Sequence, residues 1–261
     1  MREYLIVDDN LRAAMRFFGT ATGTGETCAV PGGIAIWSGL DYGVFNIAML
    51  DGAPPPGEGL TERIADAAHF FKPRTSRWSF WLCEDYLNAH DLRRARGTAA
   101  DFGLRAISHP PGMFALDLAP VHGLLPPLEI EPVSTASHQH AFAEITALSF
   151  EIPYAIADAV YAQPHAWNGD YRGIVGLAEG RVVAIAAIVE TQDAIGIYSL
   201  ATHPAYRRHG YGEALLRGAI AEAQRRTGAR GIVLQSTEAG HSLYRRLGFR
   251  DVTRFTVYLT K

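Results

Sequence analysis

The second half of the chain switches cleanly between two-residue and helical periodicity. Residues 128–133 alternate apolar and polar and read as a strand. Residues 137–150 place Ala141, Phe142, Ile145, Leu148 and Ser149 at helical spacing, and 154–161 form a second, shorter helix. Two apolar, β-branched runs at 173–178 and 182–190 flank Glu179-Gly180-Arg181, a hairpin turn. Another strand covers 195–202. The helix that follows, about 212–226, carries Leu215, Leu216, Ala219, Ile220 and Ala223 on one face. A strand at 231–236, a helix at 239–247 and a strand at 251–259 complete the order β-α-α-β-β-β-α-β-α-β.

The first half is less regular. Helical patterns span 9–20 and 62–71, and strand patterns span 33–37, 43–50 and 77–83. Trp78-Ser79-Phe80-Trp81 alternates like a core strand. Ala100-Asp101-Phe102-Gly103-Leu104, followed by an apolar run at 113–118, echoes Leu247-Gly248-Phe249 and the strand after it. That echo predicts a second, degenerate copy of the same unit. Between the halves, 118–127 is rich in Pro and Gly, which oppose helix and central strand alike. The expected division is 1–120, a linker at 121–127, and 128–261.

Composition narrows the classes. A net charge of −3 over 261 residues gives no basic field for nucleic acid. No run approaches the ~20 apolar residues of a membrane span. Met1-Arg2-Glu3-Tyr4-Leu5 carries charge where a signal peptide needs apolar residues. Only Cys28 and Cys83 occur, and they are expected as free, buried thiols. These features predict a cytoplasmic protein without a nucleic-acid or membrane partner. No His-Glu-x-x-His spacing and no Gly-x-Ser-x-Gly elbow occur, so neither a metal nor serine-hydrolase chemistry is expected.

The chemistry concentrates between the strand at 195–202 and the long helix. There the chain reads Tyr206-Arg207-Arg208-His209-Gly210-Tyr211-Gly212. Two glycines at a helix start allow several backbone N–H groups to converge at the positive end of the helix dipole. That is a phosphate or pyrophosphate site. The spacing Arg-x-x-Gly-x-Gly is neither the P-loop nor the Rossmann pattern. It resembles the acetyl-CoA pyrophosphate loop of the GCN5-related N-acetyltransferases, the GNAT family. About thirty residues on, Ser242-Leu243-Tyr244-Arg245-Arg246-Leu247-Gly248-Phe249 resembles that family's closing motif. The resemblance covers roughly 127–261.

The resemblance implies an α/β mixed sheet in the GNAT acyl-CoA N-acyltransferase fold, in two tandem copies. It implies acetyl-CoA as cosubstrate, without a metal, lying between the strands at 195–202 and 231–236. Leu200, Ala201 and Thr202 would meet the acetyl carbonyl and pantetheine through their backbone. Arg207, Arg208, His209, Gly210, Tyr211 and Gly212 would wrap the pyrophosphate, with both glycines chosen for close phosphate approach. Tyr244 matches the general acid, and Thr237 stands where many relatives have Asn. The strand at 195–202 holds no carboxylate, which leaves Glu190 as the nearest candidate base, followed by Glu151, His165 and His241. Tyr154, Tyr161, Trp167 and Tyr171 fall where an acceptor pocket would be lined. In the first half the matching loop is Asp51-Gly52-Ala53-Pro54-Pro55-Pro56-Gly57-Glu58-Gly59, whose prolines lack amide donors and whose Glu58 repels phosphate. That half is not expected to hold acetyl-CoA. The implied reaction is acetyl transfer to a primary amine of a small molecule or peptide. The alternative is a non-catalytic acyl-CoA-binding or regulatory module. A monomer and a homodimer are both compatible with the sequence.

Overall fold

A computed structural model describes residues 2–55, 58–75 and 77–260. The first half contains α1 (Glu3–Met15), β1 (Glu26–Val30), β2 (Gly33–Trp37), β3 (Ile47–Leu50) and α2 (Leu60–Phe71). β4 (Ser79–Cys83), α3 (Ala89–Asp101), β5 (Leu104–Ser108) and β6 (Pro111–Ala115) follow. The second half contains β7 (Glu129–Pro132), α4 (Ala136–Phe150), α5 (Tyr154–Tyr161), β8 (Arg172–Ala178), β9 (Arg181–Glu190) and β10 (Ala194–Thr202). α6 (Tyr211–Thr227), β11 (Gly231–Gln235), α7 (Glu238–Arg246) and β12 (Arg250–Thr260) complete it.

Local chemistry explains the boundaries. Thr135 caps α4 by accepting from the His138 N–H at 3.1 Å, and Asn88 caps α3 through the His90 and Asp91 N–H groups. Glu179 and Gly180 are both left-handed, with φ of 51° and 73°, as a two-residue hairpin turn of this hand requires. α1 begins six residues before the predicted 9–20 segment and ends at Met15. The chain then tightens into a 3-10 turn at Arg16–Gly19, which buries both Phe17 and Phe18. The expected strand at 43–50 shrinks to Ile47–Leu50, and β1 and α3 carry no pattern that the periodicity detects.

The two halves are wound alike. β1, β2 and β3 are antiparallel neighbours, and β3 runs parallel to β4 with α2 crossing between them. β8, β9 and β10 repeat that arrangement, and β10 runs parallel to β11 with α6 crossing between them. All strands join one mixed sheet in the order β1-β2-β3-β4-β12-β6-β11-β10-β9-β8-β7, with β5 paired to β12.

That order exchanges strands between the halves. β12, the last strand of the second half, lies against β4 from Phe255 to Leu259. β6, from the first half, lies against β11 from Gly112 to Ala115. β12 then runs antiparallel to β6 through Arg250–Arg254 and to β5 through Val257–Thr260. Each half therefore lends its final strand to the other.

α1 belongs to the first half in sequence but lies against β10, β11 and β6. Val7, Leu11 and Ala14 are its buried apolar face. α4 and α5 cover the same side of the second half, and α6 and α7 cover the opposite side around Leu216, Ile220, Ile232 and Leu234. The cysteines are both free, but Cys28 lies exposed on edge strand β1, against the expectation of burial. Cys83 is buried. No described helix is long and apolar enough to cross a membrane.

Candidate active site

The parallel ladder of β10 with β11 stops at Gly196 and Val233, although β10 continues to Thr202 and β11 to Gln235. Past that point the strands have separated. On its other side β10 stays paired to β9, with Ala201 opposite Ile185 and Thr202 opposite Ala184. The register shifts between Tyr198 and Ala201, and Ser199 takes a left-handed φ of 47°. A bulge of this kind re-aims the strand. Leu200, Ala201 and Thr202 therefore present one backbone edge to a gap that no strand fills.

At the end of that gap sits the loop from His203 to Gly210. Arg208 and Gly210 are both left-handed, with φ of 68° and 87°. Alternating hands turn successive N–H groups to one side, the backbone arrangement of anion-binding concavities. Among the described residues, no backbone N–H from Arg208 to Glu213 has a hydrogen-bond partner. The first helical bond runs from the Ala214 N–H to the Gly210 carbonyl at 3.0 Å. Six consecutive donors at a helix N-terminus fit a diphosphate.

The glycines also meet steric demands within the protein. A Cβ at Gly210 would lie 3.0 Å from Pro126 Cδ, in addition to the left-handed strain. A Cβ at Gly212 would lie 3.0 Å from Thr202 Oγ1. Arg207 does not reach outward. Its Nε donates to the Thr202 carbonyl and its guanidinium to Ser149 Oγ, each at 3.1 Å, bracing the loop against α4. The His209 ring lies 3.3 Å from the Tyr206 carbonyl, and Tyr211 packs edge-on to Tyr206.

Tyr244 lies on the same face as α6, packed edge-on to Phe249 with ring centroids 5.8 Å apart. Its ring crosses Gly240, where a Cβ would come within 2.9 Å. Burial pushes the Tyr244 phenol up to about 12, so it stays protonated at neutral pH. Thr237 caps α7 by accepting from the Gly240 N–H at 3.2 Å, which leaves its hydroxyl proton to donate.

Glu190, the expected base, lies away from the bulge. It stands opposite Ile195, at the far end of β10 from the bulge, and both its oxygens are held by Arg226. Ile195 and Ala201 are six residue steps apart, at most about 20 Å along the strand. The other candidates are also engaged or remote. His241 is paired with Asp251 at 3.0 Å, and His165 lies against Gly23. Glu151 is the left-handed C-cap of α4.

Tyr161, Tyr171 and Trp167 form one aromatic cluster, of which Trp167 alone also lines a cavity. They pack with Phe142 and with Phe17 from the first half, and Tyr171 stacks on Phe17 at 4.1 Å. Tyr154 is on the surface. Trp78 and Phe80 are core, as the alternation predicts. A cavity of about 330 Å³ opens elsewhere, between β7, β8 and the C-terminal half of α6, beside Glu131, Trp167, Arg172 and Arg226. Among the described residues no three His, Cys, Asp or Glu side chains gather around a common point.

Two side chains escaped the periodicity. Gln235 ends β11 where the strands part, and its Nε2 is buried without a partner among the described residues. Asn10, fully buried on α1, reaches β10 from the other half. A buried amide in an apolar helix face is the only sequence sign of the latter.

The matching loop of the first half is built differently. The Glu58 N–H is bonded to the Pro55 carbonyl at 3.0 Å, and the Gly59 N–H to Glu62 Oε2 at 2.9 Å. Glu58 is ion-paired with the buried Arg63. At the end of β3, the Leu50 carbonyl accepts from Arg12 at 3.1 Å, and Arg12 is itself paired with Asp8 and Asp9. Pro56 and Gly57 lie outside the described residues.

Comparison with known proteins agrees with this geometry. Residues 140–249 match the model of the Acetyltransferase (GNAT) family. No curated protein matches the sequence. The chain is similar in structure to the GCN5-related N-acetyltransferase from Kribbella flavida, with a TM-score of 0.64 and 19% identity over 95% of each chain. It is also similar to a tandem GNAT protein from the clavulanic acid biosynthesis pathway, at a TM-score of 0.55 and 14% identity over 87% of this chain and 78% of that one. A GCN5-related N-acetyltransferase from Sphaerobacter thermophilus gives 0.56 and 17%, over 88% of this chain and 76% of that one. At these identities the structural matches speak for the fold, and the sequence match speaks for the second half. The chain thus has the GNAT fold over most of its length, and its residues 140–249 match the acetyltransferase (GNAT) family.

Proposed function

We propose that this protein transfers the acetyl group of acetyl-CoA to a primary amine, using the second half as the working site. One observation carries the reading: six unpartnered N–H groups, Arg208 to Glu213, stand at the mouth of a gap between parted parallel strands. The match of residues 140–249 to the GNAT family supports an acyl-CoA cosubstrate, and the donors, the gap and the absence of carboxylate on β10 all suit its diphosphate and pantetheine.

In this reading the loop holds the diphosphate, and the backbone edge of Leu200 to Thr202 polarises the thioester carbonyl. The neutral amine nitrogen attacks the carbonyl carbon, and the carbon–sulfur bond breaks. Tyr244 gives its phenolic proton to the departing thiolate, and the ammonium proton leaves to solvent. The first half acts as a partner without a cosubstrate of its own, because the Glu58 and Gly59 N–H groups of its loop are bonded internally and Arg12 occupies the end of β3.

Thermal unfolding with and without saturating acetyl-CoA tests the cosubstrate. At 100-fold its Kd, a ligand adds about 2.7 kcal/mol, a shift of several degrees. A shift with acetyl-CoA and none with ATP is expected, followed by thiol release on an amine panel. No shift would sink the reading. The lack of a carboxylate on β10, with Glu190 engaged elsewhere, favours one rival, a non-catalytic acyl-CoA-binding module. Binding without thiol release across the panel would establish it.

A further inference from the structure

We propose that Asn10, on the first half's helix α1, is a positioning residue for acetyl transfer in the second half, acting through Tyr198 on the bulge of β10. This rests on the acetyltransferase reading above.

Asn10 is completely buried. Its Nδ2 donates to the Val189 carbonyl at 3.1 Å, the Ala194 carbonyl at 3.2 Å and Thr191 Oγ1 at 3.1 Å. Its Oδ1 accepts from the Tyr198 hydroxyl at 2.7 Å. One amide thus ties the β9–β10 hairpin to the residue that precedes the bulge. Gly196 makes room for the arrangement: a Cβ there would fall 1.8 Å from Asn10 Oδ1 and 2.6 Å from Tyr198 Cε2.

The following residue is held from the same side. Ser199 Oγ lies 2.8 Å from the Tyr171 hydroxyl, and the Tyr171 ring stacks on Phe17 of the first half. Both contacts matter because the backbone here has little other support. The ladder to β11 has ended at Gly196, and the ladder to β9 is interrupted from Tyr198 to Ala201. Ser199 keeps its left-handed φ only because its surroundings enforce it. The direction of the N–H groups that follow depends on that φ. The first half therefore sets the aim of the edge that polarises the thioester carbonyl.

Tyr198→Phe and Tyr171→Phe each delete a single hydroxyl and keep the ring packing. The measurement is the infrared carbonyl stretch of carbonyl-labelled acetyl-CoA bound to the full chain, with its Kd from calorimetry. Wild-type protein is expected to lower the stretch relative to free acetyl-CoA. Each variant should lose roughly half or more of that shift while its Kd stays near the wild-type value. A purely structural role would weaken folding and leave the stretch of the bound fraction unmoved. A full wild-type shift in Tyr198→Phe overturns this inference alone, whatever Tyr171→Phe does. Wild-type protein that binds no acetyl-CoA overturns the acetyltransferase reading, and the inference with it.

Discussion

Tyr244 and Glu190 separate the two roles that proton transfer needs. A phenol pushed up to about 12 is protonated throughout the neutral range, so Tyr244 is present as the acid and not as a base. Tyr244→Phe should lower turnover about 100-fold with acetyl-CoA affinity unchanged, as calorimetry and steady-state rates would report. Wild-type turnover should show no limb from this group until the pH nears 12. Glu190→Gln removes one partner of a surface pair, so it should change stability by at most about 1 kcal/mol and leave turnover alone. A large loss of rate in that variant would return Glu190 to the chemistry. Asp8 differs because burial, set against the nearby Arg12, pushes its carboxyl up to about 6 from 3.8. The folded state then binds the proton more tightly than the unfolded state. The contribution to stability is fully present below pH 3.8 and is lost as pH rises through about 6. It is on the order of 3 kcal/mol. Urea midpoints between these pH values should fall with rising pH more steeply in wild type than in Asp8→Asn.

Most elements of the second half are legible in the sequence, because α6 has one wet face and one dry face and the buried strands β9 and β10 are apolar runs bounded by turn residues. α5 (Tyr154–Tyr161) falls on its predicted residues, and β8, β9, β10 and α6 differ from theirs by one residue. β2 in the first half matches as well. α1 was misplaced because Tyr4, Leu5, Ile6 and Val7 form an unbroken apolar run, which hides helical spacing. β1 was missed because an exposed edge strand, Glu-Thr-Cys-Ala-Val, has no inward face to alternate. The loop was legible as a motif, yet the steric demand at Gly210 was not, since Pro126 comes from a segment about eighty residues earlier. A paired test separates backbone from contact. Gly210→Ala adds about 1 kcal/mol of left-handed strain and a Cβ against Pro126, so both melting temperature and acetyl-CoA affinity should drop. Gly228→Ala, with φ of 72° and open space around it, should lower the melting temperature alone.

At the scale of the molecule, periodicity identifies a strand but not its neighbour, which is why the exchange of β6 and β12 could not be foreseen. The exchange has a direct consequence for dissection. Residues 128–261 expressed alone would leave β11 without β6 and β12 without any of its three partners. Bare edges of this kind aggregate. That fragment is expected to show no cooperative melt, and co-expression with 1–127 should restore one. A fragment that folds and binds acetyl-CoA unaided would show the lent strand to be dispensable.

The lent strands also divide what each half is free to lose. The turn around Glu58 is free to vary where it meets nothing buried, so substitutions at Gly52 and Ala53 should be nearly neutral, whereas Glu58 is held by the buried Arg63. β6, barely fifty residues further on, cannot drift, because it closes the sheet beside the other half's ligand gap. Inheritance therefore acts on this chain strand by strand rather than half by half: a copy whose own chemistry has decayed is kept for the strand it gives away.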